Sequence, residues 1–296
     1  MVRVEKWQAL GNDYLILDRE ELPWNLTPAR VKRLCDPHFG LGSDGICELS
    51  PPDDEGSVAR LAIYNPDGSR AELSGNGVRE AALYLHSHGR TAGEIFSIET
   101  DAGLVKPEIT GEATARVAMG KASTHSGDFP SGSDEGRDSL EADGREFEFQ
   151  HVSIGNPQCA IEVESGLEAL ELSSVGPAIE NHELFPNRTN VSFWSRVASE
   201  PEAGSQIRAR IFERGVGETL SSGTGATGAA VAASLAGVEP PIEVRLDGGS
   251  LLVEIDSHLE VHLTGWAVPV YTAEVSGDLL QALASEVEPP RLTGNA

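Results

Sequence analysis

Short apolar runs bounded by polar or turn-forming residues occur along the first part of the chain, and this pattern predicts strands. The predicted strands cover residues 2–7, 14–17, 46–49 and 60–64. Residues 28–35 and 77–88 carry apolar side chains at helical spacing and predict two helices. A run of serine, glycine and acidic residues at 131–136 is expected to form an exposed loop just inside a second domain, and the polar tail after Glu286 is expected to be frayed.

One pattern occurs twice, about half a chain apart. Ser74-Gly-Asn-Gly is followed after three further residues by Ala-Ala, and Ser222-Gly-Thr-Gly repeats this spacing 148 residues later. Three further pairs keep nearly the same offset: Asn65 and Glu213, Gly11-Asn12 and Gly155-Asn156, and Asp44 and Asn190. Because four elements recur in the same order, the chain is predicted to consist of two similar halves.

Each copy of the motif places a serine and two glycines at the start of a helix, where backbone N–H groups lack partners and carry partial positive charge. Such a helix start binds anions. Two of them facing each other across a domain cleft would hold one carboxylate, with Ser74 and Ser222 on opposite faces of the carbon that bears it. The alternative interpretation is structural, with glycines that allow close packing and serines that cap the helices.

The composition argues against several classes of function. A chain of 296 residues, 39% of them hydrophobic, suffices for two domains with cores of their own. The formal net charge of −25 argues against a nucleic-acid partner and against docking on an anionic membrane. Three cysteines without C-x-x-C spacing indicate a reducing compartment, with neither a disulfide framework nor a thiolate zinc site.

Other motifs and targeting signals are weak. The N-terminus carries charges where a signal peptide needs apolar residues, and the longest run of small apolar residues, 228–238, is too short for a membrane span. A cytoplasmic location and no membrane partner are therefore expected. The scattered histidines predict no metal site. Residues 223–228 match G-x-G-x-x-G, but too few residues follow for a dinucleotide-binding sheet, and neither serine lies in a hydrolase motif.

Several segments resemble motifs of the diaminopimelate epimerase family. In the first half they are Gly11-Asn-Asp-Tyr, His38-Phe-Gly-Leu-Gly-Ser-Asp-Gly, Asn65-Pro-Asp-Gly-Ser and Ser74-Gly-Asn-Gly. In the second half they are Ile154-Gly-Asn-Pro-Gln-Cys, Asn187-Arg-Thr-Asn-Val, Glu213-Arg-Gly-Val-Gly-Glu-Thr and Ser222-Gly-Thr-Gly. The match runs in order from residue 3 to about residue 232.

The resemblance implies a fold of the α/β (α+β) class with two pseudo-symmetric domains, each a mixed β-sheet wrapped around a central helix. We expect the first domain at residues 1–117 together with residues from about 265 to 296, and the second at residues 118–264. The implied reaction converts LL-diaminopimelate to meso-diaminopimelate, late in the synthesis of lysine and of peptidoglycan precursors. The implied protein is a homodimer that needs no cofactor and no metal.

The resemblance places the two opposed acid/base positions at Ser74 and Ser222. A zwitterionic diamino diacid needs amide, carboxylate, guanidinium and helix-end groups around it. The implied contacts with this amino-acid substrate fall on Asn12, Asn65, Gly75, Asn76, Asn156, Asn190, Glu213, Arg214, Gly223 and Thr224.

The sequence departs from the family at the acid/base positions. The family uses two cysteines there, one thiolate removing a proton and one thiol returning another, whereas this chain has Ser74 and Ser222. Gln158 stands where the family usually has histidine. An aliphatic hydroxyl is a far weaker acid than a thiol, and each pKa unit of difference costs about 1.4 kcal/mol in deprotonation. The serines therefore require a neighbouring base. Glu213 and Glu218 are the nearest carboxylates in sequence.

Three functions follow from this pattern. The first is an amino-acid epimerase of the diaminopimelate type with serines as acid and base. The second is a divergent isomerase or dehydratase of the same fold, in which one hydroxyl acts through a carboxylate or a water on another amino acid. The third is a catalytically silent homologue that binds diaminopimelate.

Overall fold

The computed structural model describes residues 2–72, 74–197 and 204–285. Contacts divide the chain into two units, unit 1 comprising Met1–Pro107 and Ala267–Ala296, and unit 2 comprising Glu108–Trp266. The polar tail after Glu286 lies outside the described residues. Within those residues, no helix is both long enough and apolar enough to cross a membrane.

The first part of unit 1 alternates strands with two helices. Its elements are β1 (Arg3–Ala9), β2 (Asn12–Asp18), α1 (Pro28–Cys35), β3 (Ile46–Ser50), β4 (Ser57–Tyr64), β5 (Arg70–Ala71), α2 (Gly75–Ser87), β6 (Ser97–Thr100) and β7 (Gly103–Val105). The four predicted strands and both predicted helices are confirmed, and α1 has the predicted bounds. The second helix begins at Gly75 rather than at residue 77, because Ser74 caps it.

Unit 2 is richer in strands. Its elements are β8 (Glu108–Gly111), β9 (Thr114–Lys121), β10 (Arg137–Ala142), β11 (Arg145–Ser153), β12 (Pro157–Glu162), α3 (Leu172–Glu180), β13 (Asn190–Arg196), β14 (Ser205–Glu213), β15 (Gly217–Thr219), α4 (Gly223–Leu235), β16 (Ile242–Leu246), β17 (Gly249–Ile255) and β18 (Glu260–Trp266). The run at 131–136 lies in the loop between β9 and β10 and is mostly exposed, as predicted.

The chain then returns to unit 1 with β19 (Val268–Glu274) and α5 (Gly277–Ser285). Strand β19 pairs antiparallel with β1, and Leu283 of α5 packs with Val31 and Leu34 of α1. Among the described residues, the sheet of unit 1 has the order β19-β1-β2-β3-β4-β6-β7, with β5 paired to β4. The sheet of unit 2 has the order β10-β11-β12-β13-β14-β16-β17-β18-β9-β8, with β15 paired to β14.

The two units repeat one arrangement of strands. In unit 1, β2 pairs in parallel with β3 and β4 with β6, β5 pairs back onto β4, and α2 connects β5 to β6. In unit 2, β12 pairs in parallel with β13 and β14 with β16, β15 pairs back onto β14, and α4 connects β15 to β16. Both sheets are mixed, and the predicted division into two similar halves is confirmed.

A central helix lies against each sheet. Residues 225–233 of α4 are all buried and nearly all apolar, and the helix packs against β11–β14 and β16–β18. A helix that is apolar on every face has to be buried on every face, which explains why this sheet wraps around it. Helix α2 packs against β1, β2 and β4 in unit 1. Unlike α4, it buries two charged residues, Arg79 and Glu80.

Candidate active site

The two repeated serines are the N-caps of the two central helices. The Ser74 Oγ accepts the Gly77 N–H at 3.1 Å, and the Ser222 Oγ accepts the Gly225 N–H at 3.2 Å. The cap dihedrals are almost the same, with φ −137° and ψ 121° at Ser74 and φ −142° and ψ 122° at Ser222. The capping role considered from the sequence is therefore confirmed. It leaves each hydroxyl proton available for chemistry, because the cap uses only the oxygen.

We call the residues around the start of α2 the α2 site and those around the start of α4 the α4 site. The α2 site consists of Asn12, Asp44, Ser74, Gly75 and Asn76. The α4 site consists of Asn156, Asn190, Glu213, Arg214, Ser222, Gly223 and Thr224. Each unit thus holds one of the two serines and several of the predicted ligand-binding residues. Asn65 lies in its own turn, where its Nδ2 donates to the Ser69 Oγ at 3.0 Å.

The α2 site is assembled at the start of two parallel strands. Strands β2 and β3 pair with Leu15 opposite Ile46, which brings the first residues of β2 close to the residues just before β3. The Asn12 Nδ2 and the Asp13 N–H both donate to the Asp44 Oδ2, at 3.0 and 3.1 Å. The carboxylate of Asp44 therefore holds one end of the site in a fixed geometry.

Ser74 has a phenol as its side-chain neighbour. The Tyr14 hydroxyl donates to the Ser74 Oγ at 3.2 Å. Burial raises the pKa of Tyr14 above its ordinary value, and the nearby Cys47 and Glu80 act in the same direction. Tyr14 is consequently a proton donor to Ser74 at neutral pH, and it cannot serve as a base there.

Ser222 has a carboxylate as its side-chain neighbour. The Thr219 hydroxyl donates to the Glu213 Oε1 at 2.7 Å, and the Ser222 hydroxyl lies close to the same carboxylate. Burial raises the pKa of Glu213, and the hydroxyls of Thr219 and Ser222 oppose the shift. A partly desolvated carboxylate with a raised pKa is a better proton acceptor than one in water. A carboxylate in this position can act as a general base toward the Ser222 hydroxyl.

Glycines permit the close packing beneath the α4 site. A Cβ on Gly225 would lie 2.7 Å from the Ile211 side chain, and one on Gly228 would lie 2.7 Å from the Cβ of Gln158. Gln158 is fully buried, and its Nε2 donates to the Asn156 Oδ1 at 2.8 Å. The Asn156 Nδ2 in turn donates to the Thr224 Oγ1 at 3.3 Å. Gln158 thus orients Asn156 and makes no hydrogen bond to Ser222 among the described residues.

Asn190 fixes the backbone at Arg214. Its Oδ1 accepts the Arg214 N–H at 2.9 Å, and its Nδ2 donates to the Pro157 carbonyl at 3.0 Å. The Arg214 Nη1 donates to the Asn187 carbonyl at 2.9 Å. Within the described residues, no carboxylate forms an ion pair with this guanidinium. It can therefore bind a carboxylate of a ligand.

The other candidate bases and thiols lie elsewhere. Glu218 is bound by Arg210, whose Nη2 donates to the Glu218 Oε1 at 2.6 Å. Cys35, Cys47 and Cys159 are all buried, and burial raises the pKa of each thiol. None of them replaces a thiol at the serine positions. Among the described residues, no group of three or more His, Cys, Asp or Glu side chains is placed to hold a metal ion.

Two residues at the α2 site were not predicted from the sequence: Tyr14, which donates to Ser74, and Asp44, which accepts from Asn12. Tyr14 stands in the motif that begins at Gly11, yet it was not assigned to the site. Its counterpart in the repeat is Gln158, 144 residues later, the same offset that relates Asn12 to Asn156. Asp44 was noticed as the counterpart of Asn190 but was not predicted to be a site residue. The repeat therefore contained a signal for both Tyr14 and Asp44.

Comparisons with known proteins agree with this geometry. The profile of the family described as Diaminopimelate epimerase matches residues 4–125 and 150–270. A diaminopimelate epimerase of Moorella thermoacetica is 37% identical over 282 residues, which cover 91% of this chain and 97% of the relative. The chain belongs to the diaminopimelate epimerase family. Another member, from Magnetococcus marinus, is 39% identical over 278 residues, covering 93% of this chain and 97% of the relative.

Solved structures share the fold at low sequence identity. A PhzF-family phenazine biosynthesis protein of Bacillus anthracis has a TM-score of 0.63 at 18% identity, covering 93% of this chain and 99% of that one. A hydroxyproline epimerase of Agrobacterium vitis with bound trans-4-OH-L-proline has a TM-score of 0.60 at 17% identity, covering 93% and 90%. These likenesses confirm the predicted fold class. The family is one of isomerases, as the sequence also predicts.

Proposed function

We propose that the protein epimerises LL-diaminopimelate to meso-diaminopimelate without a cofactor, with Ser74 and Ser222 as the two acid/base groups. Membership of the family and the presence of all ten predicted ligand contacts support the substrate. The observation that carries the proposal is the position of the partly buried Glu213 carboxylate beside Ser222. It supplies the base that a serine needs in place of a thiolate.

In the proposed reaction, the Ser222 Oγ takes the α-proton while its own proton passes to the Glu213 carboxylate. The electron pair left on the α-carbon is delocalised into the adjacent carboxylate of the substrate. The Ser74 hydroxyl then delivers a proton to the opposite face, and the Tyr14 hydroxyl, hydrogen-bonded to Ser74, stabilises the resulting alkoxide. The reverse direction uses the same groups in the opposite order.

The charges of the substrate match the groups that the chain leaves available. The N–H groups at the first turns of α2 and α4 and the guanidinium of Arg214 are donors for carboxylates. The carboxylate of Glu213 is an acceptor for an ammonium group. We place the reaction in lysine and peptidoglycan-precursor synthesis, in the cytoplasm and in a homodimer, as the family resemblance implies.

A second candidate is a one-base isomerase or dehydratase acting on another amino acid. It is favoured by a single observation: Ser74 is in contact with a phenol whose pKa is raised, whereas Ser222 is in contact with a carboxylate. A reaction that removes a proton on one face and never returns it on the other needs only the Ser222–Glu213 pair.

Proton NMR of LL-diaminopimelate with the purified protein in deuterated buffer separates these functions. The proposal expects loss of the α-proton signal and appearance of the meso form, both abolished in Ser222→Ala. Exchange without inversion, or turnover of a hydroxy or imino acid only, would favour the one-base reaction. Calorimetric binding of diaminopimelate with no exchange would identify a silent homologue.

A further inference from the structure

Arg79 is buried in the second turn of α2, directly behind the α2 site. Its side chain is 0% exposed, and its Nη2 donates to the Asn76 Oδ1. Burial lowers the pKa of Arg79 to about 10, so the side chain is still a cation at neutral pH. The Nε and Nη1 atoms have no hydrogen-bond partner among the described residues. Within the described residues, the guanidinium of Arg79 therefore hydrogen-bonds to Asn76 alone.

A chain of hydrogen bonds runs from Arg79 across the α2 site. The Asn76 Nδ2 donates to the Asn12 Oδ1 at 3.0 Å, and the Asn12 Nδ2 donates to the Asp44 Oδ2 at 3.0 Å. A guanidinium can only donate and a carboxylate can only accept. The two ends of the chain consequently fix the orientation of both amides. A rotation of either amide by 180° would interchange its oxygen and nitrogen and break this chain.

The donor-to-acceptor direction of this chain determines which hydrogen-bonding groups of the α2 site remain available to a ligand. Both amide oxygens are occupied by donors of the chain. Each Nδ2 keeps one N–H that has no acceptor within the described residues. Together with the backbone N–H groups at the start of α2, these donors favour an acceptor such as a carboxylate and disfavour an ammonium group.

Unit 2 shows that the fold does not require a buried cation at this position. The repeat aligns Arg79 with Thr227, whose Oγ1 donates to the Gly223 carbonyl within α4 at 2.9 Å. It aligns the neighbouring Glu80 with Gly228. Since burying a charge opposes folding and α4 forms without one, Arg79 is better explained by what it does to Asn76.

We propose that Arg79 is a positioning residue, which through Asn76 and Asn12 commits the α2 site to binding a carboxylate group of the substrate. Asp44 fixes the other end of the same chain. The substrate part of this inference rests on the proposed function, whereas the orientation of the two amides does not.

Calorimetry with LL-diaminopimelate tests the binding part in Arg79→Met, Asn76→Ala and the double variant. Arg79→Met is expected to weaken binding about ten- to hundredfold, the range for losing a hydrogen bond to a charged group, with Arg79→Lys weakening it less. In the Asn76→Ala background the Arg79→Met effect should disappear, because Arg79 acts through Asn76. Equal effects in both backgrounds would overturn the proposal, as would a fall in melting temperature with unchanged affinity.

Side-chain amide signals of the ligand-free, ¹⁵N-labelled protein test the orientation independently of any substrate. Arg79→Met should shift the Asn12 signals, although Arg79 does not contact Asn12. The matched control is Thr227→Val at the equivalent position of α4, which should leave them unchanged. Unmoved Asn12 signals would overturn the positioning role. If the Asn12 signals shift but the protein binds no diaminopimelate, the positioning role of Arg79 is supported and the proposed function is overturned. If Arg79→Met does not fold, Arg79→Lys and Arg79→Gln carry both measurements.

Discussion

The α2 site and the α4 site begin from the same serine N-cap, but the two serines have different chemical neighbours. Ser222 lies beside the carboxylate of Glu213, whereas Ser74 accepts a hydrogen bond from the phenol of Tyr14. The two units thus share a backbone arrangement, a helix start that is capped by serine. The side chain beside the cap differs between the units, a carboxylate at Ser222 and a phenol at Ser74.

The second turns of the two helices differ as well. Unit 1 buries Arg79 and Glu80, and unit 2 has Thr227 and Gly228 at the aligned positions. Behind the α4 site, the space at Gly228 is filled by the neutral Gln158. A buried cation, Arg79, therefore orients an asparagine of the α2 site, and a neutral amide, Gln158, orients one of the α4 site.

The largest expected effect comes from removing the carboxylate at Ser222. Glu213→Gln should lower the rate of α-deuterium exchange by about a hundredfold or more, because general bases typically contribute about 10²–10⁴-fold. Tyr14→Phe, which removes the neighbour of Ser74, should lower it about tenfold or less. Glu218→Gln is the control, since Glu218 is bound by Arg210 and should leave the rate unchanged. Equal losses in Glu213→Gln and Tyr14→Phe would contradict the difference between the two sites.

Replacing each serine by cysteine separately tests whether the two sites differ in how much a thiol improves them. Ser74→Cys should raise the exchange rate about tenfold or more, because a thiol is a stronger acid and Ser74 has no carboxylate neighbour. Ser222→Cys should give a smaller gain, since Glu213 already assists that position. Rates are measured by NMR on each single variant and on the double variant. A larger gain from Ser222→Cys would show that Glu213 does not activate the hydroxyl.

The pH profile reports on Glu213. Burial raises its pKa above the ordinary value of 4.5, and the carboxyl must be ionised to accept a proton. The exchange rate should therefore rise with pH through an acid limb that lies above pH 4.5, falling about tenfold for each pH unit below the limb. The limb should be absent from the residual activity of Glu213→Gln and present in Glu218→Gln. An unchanged limb in Glu213→Gln would assign it to another group.

The smallest effect concerns the stability of unit 1. Burial raises the pKa of Glu80 well above its ordinary value, and Arg79 opposes the shift. Because the folded state holds this proton after the unfolded chain has lost it, the stabilisation is present at low pH and is lost as pH rises through the folded pKa. Glu80→Gln should therefore raise the free energy of unfolding at pH 8 by about 1 kcal/mol, measured by denaturant titration, and change it little at pH 4. A loss of stability at pH 8 would mean that Glu80 is ionised and compensates Arg79.

The local signals in the sequence were sufficient for the elements and for the family. Apolar runs and turn residues gave β1–β4 and both predicted helices, and the spacing of the two Ser-Gly-x-Gly motifs gave the repeat. The start of α2 at Gly75 was less accessible than that of α1, since it depends on which residue caps the helix. The candidate site residues came from the motifs, which are contiguous in sequence.

The contacts that set the chemistry could not be taken from the motifs. Glu213 and Glu218 are both near Ser222 in sequence, and only the hairpin of β14 and β15 puts Glu213 against Ser222 while Arg210 binds Glu218. Tyr14 meets Ser74 across sixty positions of the chain. Arg79 has the sequence context of an exposed helical residue, yet it is fully buried.

By itself, the sequence determined the two capped helix starts, the duplicated architecture and membership of the family, because capping, periodicity and motif spacing are properties of neighbouring residues. The tertiary structure alone decided which carboxylate faces Ser222 and which donor faces Ser74. Those partners come from different strands and helices, and their approach depends on how the sheets pack around α2 and α4.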